Sequence, residues 1–146
     1  MMTKKQKKIL LAVDGSENSK RAVLEAKNYG QLFDVEITLL TVLIPIANQY
    51  YTYLAPPMLE EPHQSKEIGE FVLKEASKLL ALPKEQVHPK IEYGNPADVI
   101  LREAELADYD LIILGSRGLG LFSRSFLGSV SNKVLHHTDT NVLIVK

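Results

Sequence analysis

The sequence predicts an α/β fold, a single doubly wound sheet of five parallel strands in the order 3-2-1-4-5 with helices on both faces. Three observations carry this. The runs "ILLAVD" (Ile9 to Asp14) and "LIILG" (Leu111 to Gly115) are unbroken and apolar, as in strands covered on both faces. Between such runs the apolar spacing changes to that of helices. The two kinds of segment alternate as β-α-β-α-β-α-β-α-β, which right-handed crossovers gather into one parallel sheet.

Taken in order, residues 1–7 form a basic tail, with Lys4, Lys5 and Lys7 followed by Lys8, and read as a solvated end. The first strand is "ILLAVD". Ala22, Ala26, Tyr29 and Phe33 then share one helical face. "ITLLTVL" (Ile37 to Leu43) is the second strand. Residues 44–63 hold four prolines and the tyrosines Tyr50, Tyr51 and Tyr53, a long connection that reads as a lid or a poorly ordered loop. Ile68, Val72, Ala76 and Leu79 make the second helical stripe. "QVHPKIEYG" alternates and contains Pro89, which suits an edge strand. In "NPAD", Asn95 is the N-cap, Pro96 the first helical residue and Asp98 a carboxylate near the positive end of the helix dipole. Ile100, Ala104 and Ala107 form the third stripe, "LIILG" the fourth strand, and "VLIV" (Val142 to Val145) the fifth, after a helix opened by Gly128 and Ser129.

Composition narrows the function. At 146 residues, with 45% hydrophobic and 24% charged residues, residues 1–146 suit one domain with its own core. The net charge of −1 gives no general attraction to nucleic acid or to an anionic membrane. The absence of cysteine excludes disulfides, thiolate metal sites and thiol catalysis. No apolar run approaches the length of a membrane span and the basic start lacks a signal-like apolar stretch, so a cytoplasmic location is expected.

In a sheet of this order the ends of the first and fourth strands are neighbours, and ligands bind there. "VDGS" follows the first strand and "GSRG" the fourth. Gly115 and Gly118 are expected to let the backbone approach a ligand, and Gly128 with Ser129 opens a helix whose free N–H groups favour an anion, with phosphate the natural guest. Ser129 and Ser131 add hydroxyl donors, and Arg117 or Arg124 adds charge. "GLGLFS" only imitates a dinucleotide fingerprint, and "GLFSRSFLGSV" lacks the lysine of a P-loop. Plain turns remain the alternative reading of these glycines.

"GSRGLGLFSRSFLGS", read as G, two residues, G, nine residues, G and a small hydroxyl residue, resembles the ATP-binding motif of the universal stress protein family. The resemblance extends through "ILLAVDGSENS", "ITLLTVL", "GNPADVIL", "YDLIILGSRG" and "NVLIVK". It implies a Rossmann-like domain of the adenine nucleotide alpha hydrolase type. Adenine and ribose are then expected between Ala12, Val13 and Asp14, Val42, and the Leu114 and Gly115 region. The phosphates are expected along Arg117, Gly118, Gly128, Ser129, Val130 and Ser131. Asp14 would accept from a ribose hydroxyl or support a Mg²⁺ ion through water; its alternative role is that of a carboxylate at a helix N-terminus. All three motif glycines are kept, which resembles the ATP-binding branch of the family. Gly128→Val is expected to remove ATP binding with the fold intact.

Hydrolysis needs an oriented water, a base and charge stabilisation. Asp14 is the one acid near the motif, while His136 and His137 read as residues of a helix end. Ser129, His137 and Asp139 lack a nucleophile elbow, and adjacent histidines on a helix diverge. Any ATPase activity is expected to be weak. The leading expectation is a nucleotide-dependent sensor or regulatory module in which ATP orders residues 117–126. The alternatives are a slow ATP hydrolase and a nucleotide-free interaction protein of the same fold. A homodimer is implied by the family, and Val142, Leu143, Ile144 and Val145 form the apolar edge through which it would pair.

Overall fold

Successive residues of a strand point to opposite faces of its sheet, so an unbroken apolar run feeds two cores at once. In β1 (Lys7–Ala12), Ile9 and Leu11 enter one core and Leu10 the other. The computed structural model describes residues 5–45, 62–118 and 127–146. The proposed readings of residues 46–61, of 119–126 with Arg124, and of 1–4 in the basic tail lie outside the described residues.

β2 (Val35–Leu43), β3 (Val87–Tyr93), β4 (Leu111–Gly115) and β5 (Val142–Val145) complete a five-stranded parallel sheet in the order β3-β2-β1-β4-β5. The predicted order is the observed one. α1 (Glu17–Leu32) and α2 (Pro62–Leu80) cover one face, placing Ala22, Val23, Ala26, Leu73, Ala76 and Leu80 on Ile37, Leu39 and Ile113. α3 (Pro96–Leu106) and α4 (Ser129–His137) supply Ala97, Ile100 and Val134 to the other, against Leu10, Leu40 and Ile112. Asn95 caps α3 as its sequence requires, its side-chain oxygen accepting from the Asp98 N–H at 3.2 Å.

Three stripe residues depart from expectation. Helix α1 stops at Leu32, and Phe33 is its C-cap in extended backbone. Leaving the helical phase carries Phe33 out of the core to stack obliquely on Tyr29, with ring centroids 5.9 Å apart. Ala107 is likewise the extended C-cap of α3. In α2 the buried line is Gly69, Leu73, Ala76 and Leu80, so Ala76 is buried as predicted, Val72 and Leu79 flank the line half-buried, and Ile68 is exposed. Gly69 sits so close to Leu43 and Ile91 that a Cβ there would stand 3.0 and 3.2 Å from them, which turns Ile68 away from the sheet.

The core also takes in a charge that periodicity did not single out. Glu103 on α3 is buried, yet its oxygens accept from Lys90 Nζ at 2.8 Å and from the Tyr109 hydroxyl at 3.0 Å. That hydroxyl also lies 3.0 Å from Thr38 Oγ1. Burial opposes ionisation of Glu103, but the hydrogen bonds from Lys90 and Tyr109, with the charges of Lys90 and Arg102, outweigh it and hold the carboxyl below its ordinary value of 4.5. The Glu103 hydrogen bond chiefly raises Lys90 above 10.5. A depressed carboxyl stabilises the fold above its unfolded value and loses that contribution as pH falls through the folded one. A raised lysine stabilises below its unfolded value and fades as pH rises through the folded one. Glu103→Gln is therefore expected to lower stability by about 1–3 kcal/mol at neutral pH, with half-exposed Lys90 limiting the loss. The deficit should shrink as wild type is acidified below about 4.5, as urea unfolding across pH will show.

Candidate functional site

The strand order reverses where β1 meets β4, and the chain leaves both strands there. Beyond β1, Gly15 turns the backbone into α1 with φ +83°, a conformation that favours glycine. Ser16, not Asp14, is the N-cap of α1, its hydroxyl accepting from the Ser19 N–H at 3.2 Å. Asp14 is held just outside the helix. Its Oδ1 accepts from the Ser16 N–H at 2.9 Å and its own N–H donates to Ser19 Oγ at 3.1 Å. Oδ2 lies against Gly118, where an added Cβ would stand only 2.6 Å away.

Beyond β4, Ser116 joins three segments. Asn18 Nδ2 donates to its hydroxyl at 2.8 Å, which ties in α1. Its carbonyl accepts both the Gly128 N–H at 2.7 Å and the Ser131 hydroxyl at 2.8 Å, which fixes the start of α4 to the end of β4. Two glycine-loop expectations are corrected by this arrangement. Ser131 Oγ is buried and donates to the protein's own backbone, so it does not add a free hydroxyl donor. Gly115 makes room for α1 and not for a ligand, because a Cβ there would meet Asn18 at 2.9 Å.

The three helices with described N-caps differ at that end. Side chains of Ser16 and Asn95 cap α1 and α3, whereas Gly128 caps α4 without one. The first intrahelical bond of α4 runs from the Asn132 N–H to the Gly128 carbonyl at 3.0 Å. The N–H groups of Ser129, Val130 and Ser131 precede it, on residues that line the cleft.

On the other side of β1, β2 runs on past its partner. Ala12 pairs with Leu40, and the Val13 N–H donates to the Leu40 carbonyl at 2.9 Å. Main-chain groups of a strand alternate in direction, so those of Val42 also point toward β1, which has already turned away. The next rung would end on the Val13 carbonyl, but this accepts from the buried Thr41 hydroxyl at 2.8 Å. The Val42 N–H and carbonyl thus present a donor and an acceptor edge to the cleft.

The resulting cavity has a volume of about 420 Å³. Ala12, Val13 and Asp14 border it from β1, Val42 from β2, Leu114, Gly115, Arg117 and Gly118 from β4, and Gly128, Ser129, Val130 and Ser131 from α4. The nucleotide-site candidates among the described residues are thus brought to one place, while Arg124 lies outside those residues. Thr41, Ile68, Val72, Pro96 and Ile100 line it too and were not singled out, since their periodicity marked only strands or helix faces. Asp14 is the sole carboxylate among the described lining residues, and no cluster of three or more metal-ligating acidic, histidine or cysteine side chains occurs among the described residues. A single cleft carboxylate suits a cation that keeps most of its own waters, not a dedicated protein cage. A second hollow of about 550 Å³ between α1 and α2 is floored by Val23, Val72, Ala76 and Leu79. Its rim cations Lys20 and Lys78 pair with Glu17 and Glu75 on their own helices.

Strand order and crevice together define a Rossmann-like α/β domain. The sequence profile of the Universal stress protein family matches residues 5–146, and the chain belongs to that family. A universal stress protein of Thermus aquaticus, encoded in the 3′ region of the QAH/OAS sulfhydrylase, is 37% identical over 141 residues, spanning 96% of this chain and 98% of the relative. The solved structure of the hypothetical protein MJ0577, a test case for structure-based assignment of biochemical function, superposes with a TM-score of 0.81 at 28% identity, covering 96% of this chain and 95% of its own. A universal stress protein crystallised in complex with cAMP shares the fold, with a TM-score of 0.66, 23% identity and 96% coverage of each chain.

Proposed function

We propose that this cleft binds an adenine nucleotide, ATP with Mg²⁺ being the ligand it suits, and that the protein is a nucleotide-dependent sensor or regulatory module of the stress response. The observation that carries this reading is the first turn of α4, which no side chain caps and which Ser116 fixes across the cleft from Asp14. Its N–H groups and dipole offer an anion site at the phosphate end. Gly118 and Arg117 flank that site, and Asp14 Oδ2 is placed to accept from a ribose hydroxyl or a water of Mg²⁺. The main-chain edge of Val42 matches the donor and acceptor pattern of an adenine rim, between Ala12, Val13 and Leu114. A protein of the same fold has been seen with cAMP, which agrees with an adenine nucleotide as ligand. A chain without cysteine also suits work in the cytoplasm.

The direct test is to denature freshly purified protein, identify any released nucleotide by mass spectrometry, and titrate the stripped, refolded protein with ATP and Mg²⁺. Failure of both arms with an intact fold rejects the reading and leaves the nucleotide-free interaction protein. A slow hydrolase predicts phosphate release that survives further purification and disappears in Asp14→Ala.

The reading includes a homodimer through β5. The Asn141 and Val145 carbonyls point to β4, accepting from Ile112 and Ser116 at 2.8 and 2.7 Å, so by alternation Val142 and Ile144 turn their main-chain groups outward. The strand carries only apolar side chains at the sheet margin, and such an edge favours pairing across a two-fold. Sedimentation velocity at micromolar concentration is expected to give a dimer; a monomer removes this part of the proposal.

A further inference from the structure

Lys133 lies one turn along α4 from Ser129, and its ammonium meets Asp98 Oδ1 at 2.6 Å. Asp98 sits in the first turn of α3, two residues after Pro96, which borders the cleft as Ser129 does from α4. Helical side chains lean toward the N-terminus of their own helix, so Lys133 reaches back over Ser129 and Val130. Neither Lys133 nor Asp98 lines the cleft itself, but each lies within a turn of a residue that does, Ser129 and Pro96, so the ammonium on its flexible stem is held just outside the cleft between two helix N-termini. The pair is not a core element: the Lys133 and Asp98 side chains are 44% and 57% exposed. Exposed pairs contribute little to stability, and a lysine on its flexible stem exchanges one oxygen partner for another readily.

We propose that Lys133 selects for the number of phosphates on the bound nucleotide, with Asp98 as its restraint. In this scheme, which rests on the nucleotide reading above, the ammonium leaves Asp98 for the distal phosphoryl oxygens of a di- or triphosphate. A monophosphate, seated on the first turn of α4 alone, gains little from it. Asp98 has two effects on the same equilibrium. It competes for the ammonium, and its own negative charge, balanced only while Lys133 pairs with it, opposes a polyanion nearby.

The two partners should then act in opposite directions. In calorimetric titrations of the full chain with AMP, ADP and ATP at fixed free Mg²⁺, Lys133→Met is expected to weaken ATP about tenfold, ADP less, and AMP by no more than about twofold. Asp98→Asn is expected to tighten ATP about threefold, and the double variant to return near wild type. A pair that merely braces α3 against α4 would make both single variants weaken all three nucleotides alike. That pattern, or an unchanged preference for ATP over AMP in Lys133→Met, overturns the proposal while leaving the nucleotide site standing. Wild-type protein that binds none of the three overturns the underlying reading and this one with it. Thermal melts of each variant separate loss of binding from loss of fold.

Discussion

Ser129→Asp is expected to leave the fold as stable as wild type, or slightly more so, while weakening ATP binding about a hundredfold. Residue 129 is the first helical residue of α4 and is exposed. A carboxylate there complements the helix dipole, which favours folding by about 0.3–1 kcal/mol. The same carboxylate stands where the phosphates are assigned. Like charges about 4 Å apart repel by roughly 4 kcal/mol at an effective dielectric near 20. Salt and solvent at an exposed site reduce this to about 2–3 kcal/mol, on the order of a hundredfold in affinity. Calorimetric titration beside a urea melt reads both quantities. Unchanged ATP affinity would mean that the phosphates do not rest on α4.

Gly128→Val is expected to damage binding and stability together. The sequence suggested a side chain that merely fills the phosphate position. The structure gives it a different collision, because a Cβ at residue 128 meets the Ser116 carbonyl oxygen at 3.2 Å and Arg117 Cα at 3.3 Å. Both are backbone, and the same Ser116 oxygen already accepts the Gly128 N–H at 2.7 Å. A branched residue must push α4 off the end of β4, at a cost of about 1–3 kcal/mol typical of overpacking. Displacing the first turn of α4 is expected to lower ATP affinity at least a hundredfold. The signature is a lower urea midpoint together with lost binding, in contrast to Ser129→Asp. Retained affinity in a destabilised Gly128→Val protein would show that the close approach of α4 serves folding alone.

The contrast between these variants marks how far sequence reasoning reaches. Strand order was legible because the runs of the first, second, fourth and fifth strands lack alternation, the third alternates as an edge does, and helical segments separate successive strands, which leaves few topologies. The positions around the cleft were legible because they sit at strand ends and in one glycine-rich motif. Their individual duties were not. Nothing in the spelling of "LGSRG" says that Gly115 accommodates Asn18 and not a ligand, or that Ser131 turns its hydroxyl back onto Ser116. Those follow from where α1 and α4 come to rest, a matter of packing between segments far apart in the chain. Thr41 is similar. A threonine inside an apolar strand looks like a β-former, and only the early turn of β1 reveals that its hydroxyl takes over a ladder bond and leaves Val42 open. Periodicity misplaced Ile68 and passed over Glu103 for the same reason, since a helical stripe gives a face but not its rotation against the sheet.

The two margins of the sheet are built differently, and that difference limits how many chains can add to one another. On β3, the Gly94 N–H donates to the Leu43 carbonyl at 3.0 Å, so by alternation Pro89 falls among the residues whose main chain faces outward, where it supplies no donor. His88, Lys90 and Glu92 line one face of the same strand. Such a margin is a poor template for another strand, whereas β5 carries no charge and no proline. In the proposed β5 dimer two copies would turn only their β3 borders outward, leaving a continuous ribbon of sheets no second adhesive border on which to propagate.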